Sequence, residues 1–478
     1  MDNGLYGASG RFEKVPLINL HVWARCSEAE ATDWMAEREV GGTYLPSYPI
    51  GPVAHTADRI GRLYVITEPD GGLWKEASLY LYERTVELGK HSTAANIAGA
   101  LVDFRNVLLD GGKDFRNFNG PKFERPTYYY KAHLKQQIRR GVIRKRTANR
   151  KISAVVGMYR WMAETRGFKP EQDMWISRVR SVTYLDRYGF AQHKLVVCTD
   201  LTFKVSAEIN PGGYIEDGGK LYPITKENQD FLITALKNLE NTEMLLIHIV
   251  ALVTGMRMQS CLTIRTSDIY KGEITDDTRL IGIRIGEGAQ ADAKGGKTQT
   301  VLMPAWLHQQ LAIYLSSVRY QTRVKNSKIT NSEQQLVFLT KSGNPYYIPE
   351  KEAELYGFSA EAGSAIRKFK AKVNKELARM GKLFQYRMHD LRATFGMNLV
   401  DDHMKLLEAG KMNQLELLDM VKNRLNHSSV LVTMGYLKYR ENNALISSAQ
   451  SGYENHLRDI IKNENDRIKS LQTENPRS

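Results

Sequence analysis

Apolar positions along the chain fall into two stretches of helical spacing, preceded and separated by segments richer in glycine and β-branched residues. Over residues 93 to 109, Ile97, Leu101, Phe104 and Leu108 recur every three or four positions, and the Gly111-Gly112 pair ends the run. Downstream, Thr147 reads as an N-cap, and Ile152, Val155, Val156 and Tyr159 form one stripe, leaving Arg150, Lys151, Ser153 and Arg160 for the wet face. Helical spacing resumes at Thr225, an N-cap with Glu227 in the first turn, and runs to about Arg440. Inside that run, residues 280 to 285 and 298 to 303 alternate as strands do, and the glycine-rich loop 286 to 296 predicts a hairpin between them.

The pattern predicts a mainly α protein with small β elements, in five parts. A strand-bearing extension occupies 1–78, where 41 to 72 is rich in glycine and proline. A small helical domain follows over 79–167, a connector with short strands over 168–221, a larger mixed domain over 222–447 and a tail over 448–478. In the tail Leu457, Ile460, Ile461, Ile468 and Leu471 keep helical spacing, a face for its own chain or for a neighbour. A length of 478 residues fits several domains, and no repeat of 20 to 50 residues is present.

Composition narrows the partner. Hydrophobic residues at 42% and charged residues at 25% can build folded cores, while 67 Lys and Arg against 53 Asp and Glu leave a formal charge of +14. That excess is concentrated: residues 125 to 160 hold eleven Lys and Arg and no acid. Lys131, Lys135, Arg139, Arg140, Arg144, Lys145, Arg146, Arg150 and Lys151 are expected to meet phosphates, with Tyr128, Tyr129 and Tyr130 beside them, so double-stranded DNA is the expected partner. Cys26, Cys198 and Cys261 are too scattered for a zinc site or a disulfide framework, which fits a reducing cytoplasm; with DNA as the expected partner, a cytoplasmic, nucleoid-associated location is expected. Asp2, Arg11, Glu13 and Lys14 interrupt any leader-like run, and the apolar stretch 244 to 256 falls short of the roughly 20 residues a membrane span needs. No membrane association is expected.

Four phrases in the larger domain carry chemistry. Thr254-Gly255-Met256-Arg257 ends an apolar helix at a glycine and sets an arginine at the break. In His389-Asp390-Leu391-Arg392, histidine and arginine three apart share a helical face. Leu425-Asn426-His427-Ser428-Ser429-Val430 is followed by Tyr436, and Lys294 sits in the hairpin loop. Two arginines and two histidines can bind the non-bridging oxygens of a phosphodiester without metal, a tyrosine can attack it, and a lysine can protonate the leaving hydroxyl. Neither a metal nor a nucleotide is called for. Gly295-Gly296-Lys297-Thr298 only mimics a phosphate-binding loop, since its first glycine would fall at Ala291, and Asp401, Asp402 and His403 read as a solvated turn.

In this order and spacing the four phrases resemble the tyrosine recombinase, or phage-type integrase, family. The resemblance covers the larger domain and extends more loosely to the segment around residues 141 to 162. It implies a SAM-like helical core-binding domain and a mixed α/β catalytic domain that together clamp DNA. It also implies a nucleophile at Tyr436, phosphate-binding Arg257 and Arg392, assisting His389 and His427, and a general acid at Lys294. The implied activity is site-specific strand exchange through a 3′-phosphotyrosyl bond, without metal, ATP or other cofactor. A homo-tetramer on two synapsed sites would perform it, with accessory DNA-bending proteins and a mobile element as the setting.

The sequence departs from the family pattern at two places. Ser260 stands three residues after the first arginine, where the family carries Glu or Asp, so another acid such as Asp268 would have to orient the arginine. Asn426 stands where glycine is common. Lys297 is the alternative lysine and Tyr439 the alternative nucleophile. A type IB topoisomerase-like relaxing enzyme and a catalytically silent DNA-binding regulator are the competing functions.

Overall fold

The computed structural model describes residues 10–22, 38–40, 43–45, 58–88, 91–185, 191–205, 213–270, 272, 275–349, 352–356, 363–427 and 429–473, with some side chains inside them excepted. Among these the chain is mainly helical, and its strands pair only two at a time. It divides into two compact units, one from Met1–Val182, His193–Ala207 and Lys351–Ser359, the other from Thr183–Gln192, Glu208–Glu350 and Ala360–Ser478.

In the first unit, strands β1 (Glu13–Val22) and β4 (Asp58–Thr67) pair in register from Glu13 with Thr67 to Val22 with Asp58, and the short β2 (Arg38–Val40) and β3 (Thr43–Leu45) pair with each other. Helices α1 (Lys75–Leu88), α2 (His91–Asp110), α3 (Pro126–Arg139) and α4 (Lys145–Thr165) follow, and after them strands β5 (Ser177–Leu185) and β6 (Ala191–Thr199) form another two-stranded sheet. The described strands before residue 79 belong to this helical unit and are not a separate extension. The Asn106 side chain accepts from the Phe12 amide at 2.9 Å and donates to the Phe12 carbonyl at 3.0 Å, tying β1 to α2. Phe12, Trp74 and Phe115 also enclose the Arg105 guanidinium, with ring centroids 4.4, 5.2 and 4.5 Å away. Such cation–π contacts help hold a partly buried charge.

The stripe Ile152, Val155, Val156 and Tyr159 is buried, as its spacing predicts. Its helix, however, starts two residues before Thr147. Arg144 is the N-cap, with no side-chain bond to the free amides. Three cations, Arg144, Lys145 and Arg146, thus crowd the positive end of a helix dipole, an arrangement that costs free energy unless an anion approaches.

The second unit carries two hairpins on a helical frame. The small one pairs β7 (Ile215–Glu216) with β8 (Lys220–Leu221), within the segment the spacing assigns to a connector. Its Ile215 and Leu221 are nevertheless buried in one core with Phe395, Leu417, Leu425 and Tyr436, so the hairpin belongs to this unit. After it come α5 (Lys226–Asn238), α6 (Thr242–Thr254) and α7 (Met258–Leu262). Thr225 caps α5 by accepting from the Asn228 amide at 3.3 Å. The larger hairpin is β9 (Leu280–Ile285) with β10 (Gln299–Pro304), Ile285 facing Gln299. Helices α8 (Ala305–Ser316), α9 (Val318–Lys325), α10 (Ser364–Arg379), α11 (Met388–Glu408), α12 (Gln414–Leu425) and α13 (Val430–Thr473) complete it.

Asp401, Asp402 and His403 lie within α11 and not in a turn. Asp401 pairs with Arg440 at 2.9 Å and Asp402 with Lys226 at 3.4 Å. Among the described residues, no helix is long and apolar enough to cross a membrane.

On α6, His248 is buried between the Met244 carbonyl, 2.6 Å from Nδ1, and the Tyr386 hydroxyl, 2.8 Å from Nε2. Nδ1–H donates to the carbonyl and Nε2 accepts from the phenol, which is a neutral imidazole. Burial pushes its pKa down to about 4. The unfolded chain, with an ordinary histidine near 6.5, therefore binds a proton that the fold refuses between those values. Stability against urea is expected to fall as pH drops from 6.5 to 4, by up to about 3 kcal/mol from this group. In the same titration His248→Gln should lose less.

Candidate active site and basic surface

Five of the six residues that the motifs single out for chemistry have described side chains, and all five converge in the second unit. Gly255 ends α6 in the left-handed conformation at φ +66°, and Arg257 becomes the N-cap of α7. A β-carbon at residue 255 would lie 2.4 Å from the Phe395 ring, so glycine is required for close packing as well as for φ. His389 and Arg392 project from the start of α11. Asn426 closes α12 at φ +48°, ψ +54°. That is the left-handed region, where asparagine is the usual substitute for glycine, which accounts for the departure at this position. His427 follows directly, and Tyr436 lies in the second turn of α13.

What joins them is a residue absent from the sequence reading. Asp217, at the tip of the β7–β8 hairpin, is only 4% exposed. Its Oδ2 accepts from Arg392 Nε at 2.8 Å and from His427 Nε2 at 3.2 Å, while Oδ1 lies 3.6 Å from Arg257 Nη2. Its backbone carbonyl accepts from His389 Nε2 at 3.0 Å. Arg392 is further fixed by donating Nη1 to the Gly255 carbonyl at 2.8 Å and Nη2 to the Leu425 carbonyl. His427 Nδ1 meets the Thr433 hydroxyl at 3.0 Å.

The electrostatics follow from this packing. Burial by itself would raise the Asp217 carboxyl, but His427 and Arg392 overcome it and hold the group well below the ordinary carboxylate range. Burial, and then the like charge of Arg392, lower Arg257, against which Asp217 acts. His389 is lowered first by burial, which favours neutral imidazole.

Tyr436 is 0% exposed, and its hydroxyl has no hydrogen-bond partner of good geometry. Its ring lies 5.5 Å from that of His427 and rests on Gly396, where a β-carbon would come within 2.4 Å of it. Burial and then the Asp217 charge raise the phenol, only partly offset by the two arginines. The site is therefore assembled but closed.

A small cavity beside the cluster is lined by Arg257, Ser260, Lys297, Gln299, Arg392 and Asn426. Lys294 begins the single turn Lys294–Gly296 of the hairpin loop, and its side chain lies outside the described residues. The lysine seen at the cavity is Lys297. Asp268 is not the missing acid: its Oδ2 caps the local turn by accepting from the Arg265 amide at 2.8 Å. Tyr439, the alternative nucleophile, is partly buried against the same core as Tyr436.

In the first unit, the nine basic residues predicted for DNA separate into two groups. Lys131 donates to the Asp200 carbonyl at 2.5 Å, and Lys151 pairs with Asp103 at 2.9 Å. Lys135, Arg139, Arg140, Arg144, Lys145, Arg146 and Arg150 are exposed, and among the described residues none has an ion-pair partner. A run of unneutralised charge on the end of α3 and the start of α4 is a surface for a polyanion.

No family profile matches the chain, and no curated protein does. Among solved structures, it is similar to the XerH site-specific recombinase bound to a palindromic difH substrate in a post-cleavage complex, at 14% identity over 76% of this chain and 80% of that one, with a TM-score of 0.42. It is likewise similar to the Tn1549 transposon integrase with a circular intermediate DNA, at 14% identity over 76% and 94%, with a TM-score of 0.43. A lambda integrase dimer bound to a COC′ core site matches at 13% identity over 75% and 93%, with a TM-score of 0.41. These relations are distant.

Proposed function

We propose that the chain is a tyrosine recombinase that cuts and rejoins double-stranded DNA. The observation that carries this reading is the convergence of Arg257, His389, Arg392, His427 and Tyr436, from segments far apart in sequence, around the single buried group Asp217. In this reading the Tyr436 oxygen bonds to phosphorus as the bond from phosphorus to the 5′ oxygen breaks. The phenol proton passes to a histidine, for which neutral His389 is suited, and a lysine of the β9–β10 hairpin protonates the departing 5′ hydroxyl. Arg257 and Arg392 hold the non-bridging oxygens. Because one phosphoester replaces another, rejoining needs no nucleotide.

The buried phenol adds a requirement: Tyr436 must leave its pocket when DNA binds, so the start of α13 moves before cutting. The proposal extends to the exposed cations of α3 and α4 as a phosphate-binding surface, and to four protomers on two synapsed sites in the movement of a mobile element. Leu457, Ile460 and Ile461 of α13, which are 38%, 50% and 58% exposed, are the proposed contact between protomers. The complete set of reacting groups favours an enzyme over a silent regulator, and the topoisomerase alternative differs in needing no second DNA site.

Incubation with a nicked DNA substrate that lets the cut end diffuse away should trap the protein covalently. Tyr436→Phe should abolish trapping and Tyr439→Phe preserve it; the reverse pattern contradicts the assignment. Motif position favours Lys294 as general acid and cavity geometry Lys297. The variant, Lys294→Ala or Lys297→Ala, whose loss is restored by a substrate with a 5′-sulfur leaving group identifies the acid, because a thiolate needs no proton. Replacing Arg139, Arg140, Arg144 and Lys145 with alanine should weaken DNA binding at all sequences and reduce the log–log salt slope by up to about 4, whereas Lys151→Ala should change it by less than about 1.

A further inference from the structure

We propose that Asp217 is the positioning acid of this site, supplied by the β7–β8 hairpin in place of the acid absent at residue 260. This inference deepens the recombinase reading and rests on it. Two guanidiniums that are to grip one phosphate repel each other before the phosphate arrives. A carboxylate between them removes that repulsion. Asp217 is so placed, with one oxygen on Arg392 and His427 and the other facing Arg257.

The position of the carboxylate is built into the fold. Successive residues of the hairpin and its exit bond to successive turns of α11. The Asp217 carbonyl takes His389, the Lys220 carbonyl takes Arg387, the Tyr222 amide donates to Asp390 at 3.0 Å, and the Ile224 amide donates to Thr394 at 2.9 Å. Ile215 and Leu221 anchor both strands in the core. The hairpin is thus registered on the helix that bears His389 and Arg392, and Asp217 keeps its place through those bonds as well as through the charges it meets.

The arrangement also leaves Arg392 usable. A guanidinium has five N–H donors. Asp217 takes the one on Nε, while the Gly255 and Leu425 carbonyls take one each from Nη1 and Nη2. One donor remains on each terminal nitrogen for a phosphate. Ser260 is buried and lines the cavity shared by Arg257 and Arg392, but it brings no charge, and Asp268 is spent on its own turn. The acid role has therefore moved to a segment distant in sequence. The low pKa of Asp217 agrees with a carboxylate ionised at every working pH.

The test uses the full chain on nicked DNA in single turnover, with non-covalent affinity, covalent trapping and urea unfolding measured separately. Asp217→Asn is expected to slow trapping by about a hundredfold while DNA affinity changes by less than about threefold. Adding Ser260→Asp to Asp217→Asn places a carboxylate at the same cavity and is expected to recover at least about tenfold of the rate. A merely structural role would instead lower trapping only in proportion to the folded fraction and would be indifferent to an acid at 260. That outcome, or trapping by Asp217→Asn at the parental rate, overturns the inference alone. A parent chain that traps no DNA overturns the recombinase reading and this inference with it.

Discussion

A buried carboxylate between two guanidiniums and an imidazole sets the terms for the second unit. Asp217 draws together residues carried by α7, α11 and the turn before α13, which share no local reason to meet. Each cation alone would have to reach solvent; around one anion they can be buried. Removing one partner of such a buried pair leaves uncompensated charge, at about 3–5 kcal/mol, so the hairpin, α11 and the His427 turn are energetically coupled. On the proposed reading, the same coupling preassembles a binding place for a second anion, the phosphodiester.

Closure is the other side of this arrangement. Tyr436 packs on Gly396 and beside His427, and burial with the nearby carboxylate keeps the phenol protonated. If Tyr436 is the nucleophile, as proposed, its sealed and protonated state holds it back from stray phosphates. The proposed movement of Tyr436 would be carried by α13, which runs from Val430 to Thr473 and also bears the exposed apolar residues Leu457, Ile460 and Ile461. Chemistry and assembly then share one element in this account.

Much of the frame was legible because it is local. The αL glycine at 255, the Thr225 cap, the β9–β10 hairpin and the buried stripe of α4 each follow from spacing or backbone chemistry over a few residues. Asp217 was not legible, because it lies 175 positions before Arg392 and 210 before His427, and an acidic pair followed by two glycines looks like any turn. The glycine pairs around it and the missing acid at 260 were the signals, but nothing in the sequence joins them. Long-range pairing also explains the basic segment: Lys131 and Lys151 are spent on Asp200 and Asp103, which a local charge count does not reveal. The early start of α4 is a similar case. The helix begins at Lys145 with Arg144 as its cap, and Thr147 is left inside it without a capping role.

The central claim is that one phenol, gathered with these cations, forms the bond to DNA. Digesting a trapped protein–DNA adduct with nuclease and protease and locating the nucleotide remnant by mass spectrometry tests it most directly. The account predicts the remnant on the peptide containing Tyr436, joined through a 3′ phosphate. A remnant on any other residue, or one joined through a 5′ phosphate, would contradict it.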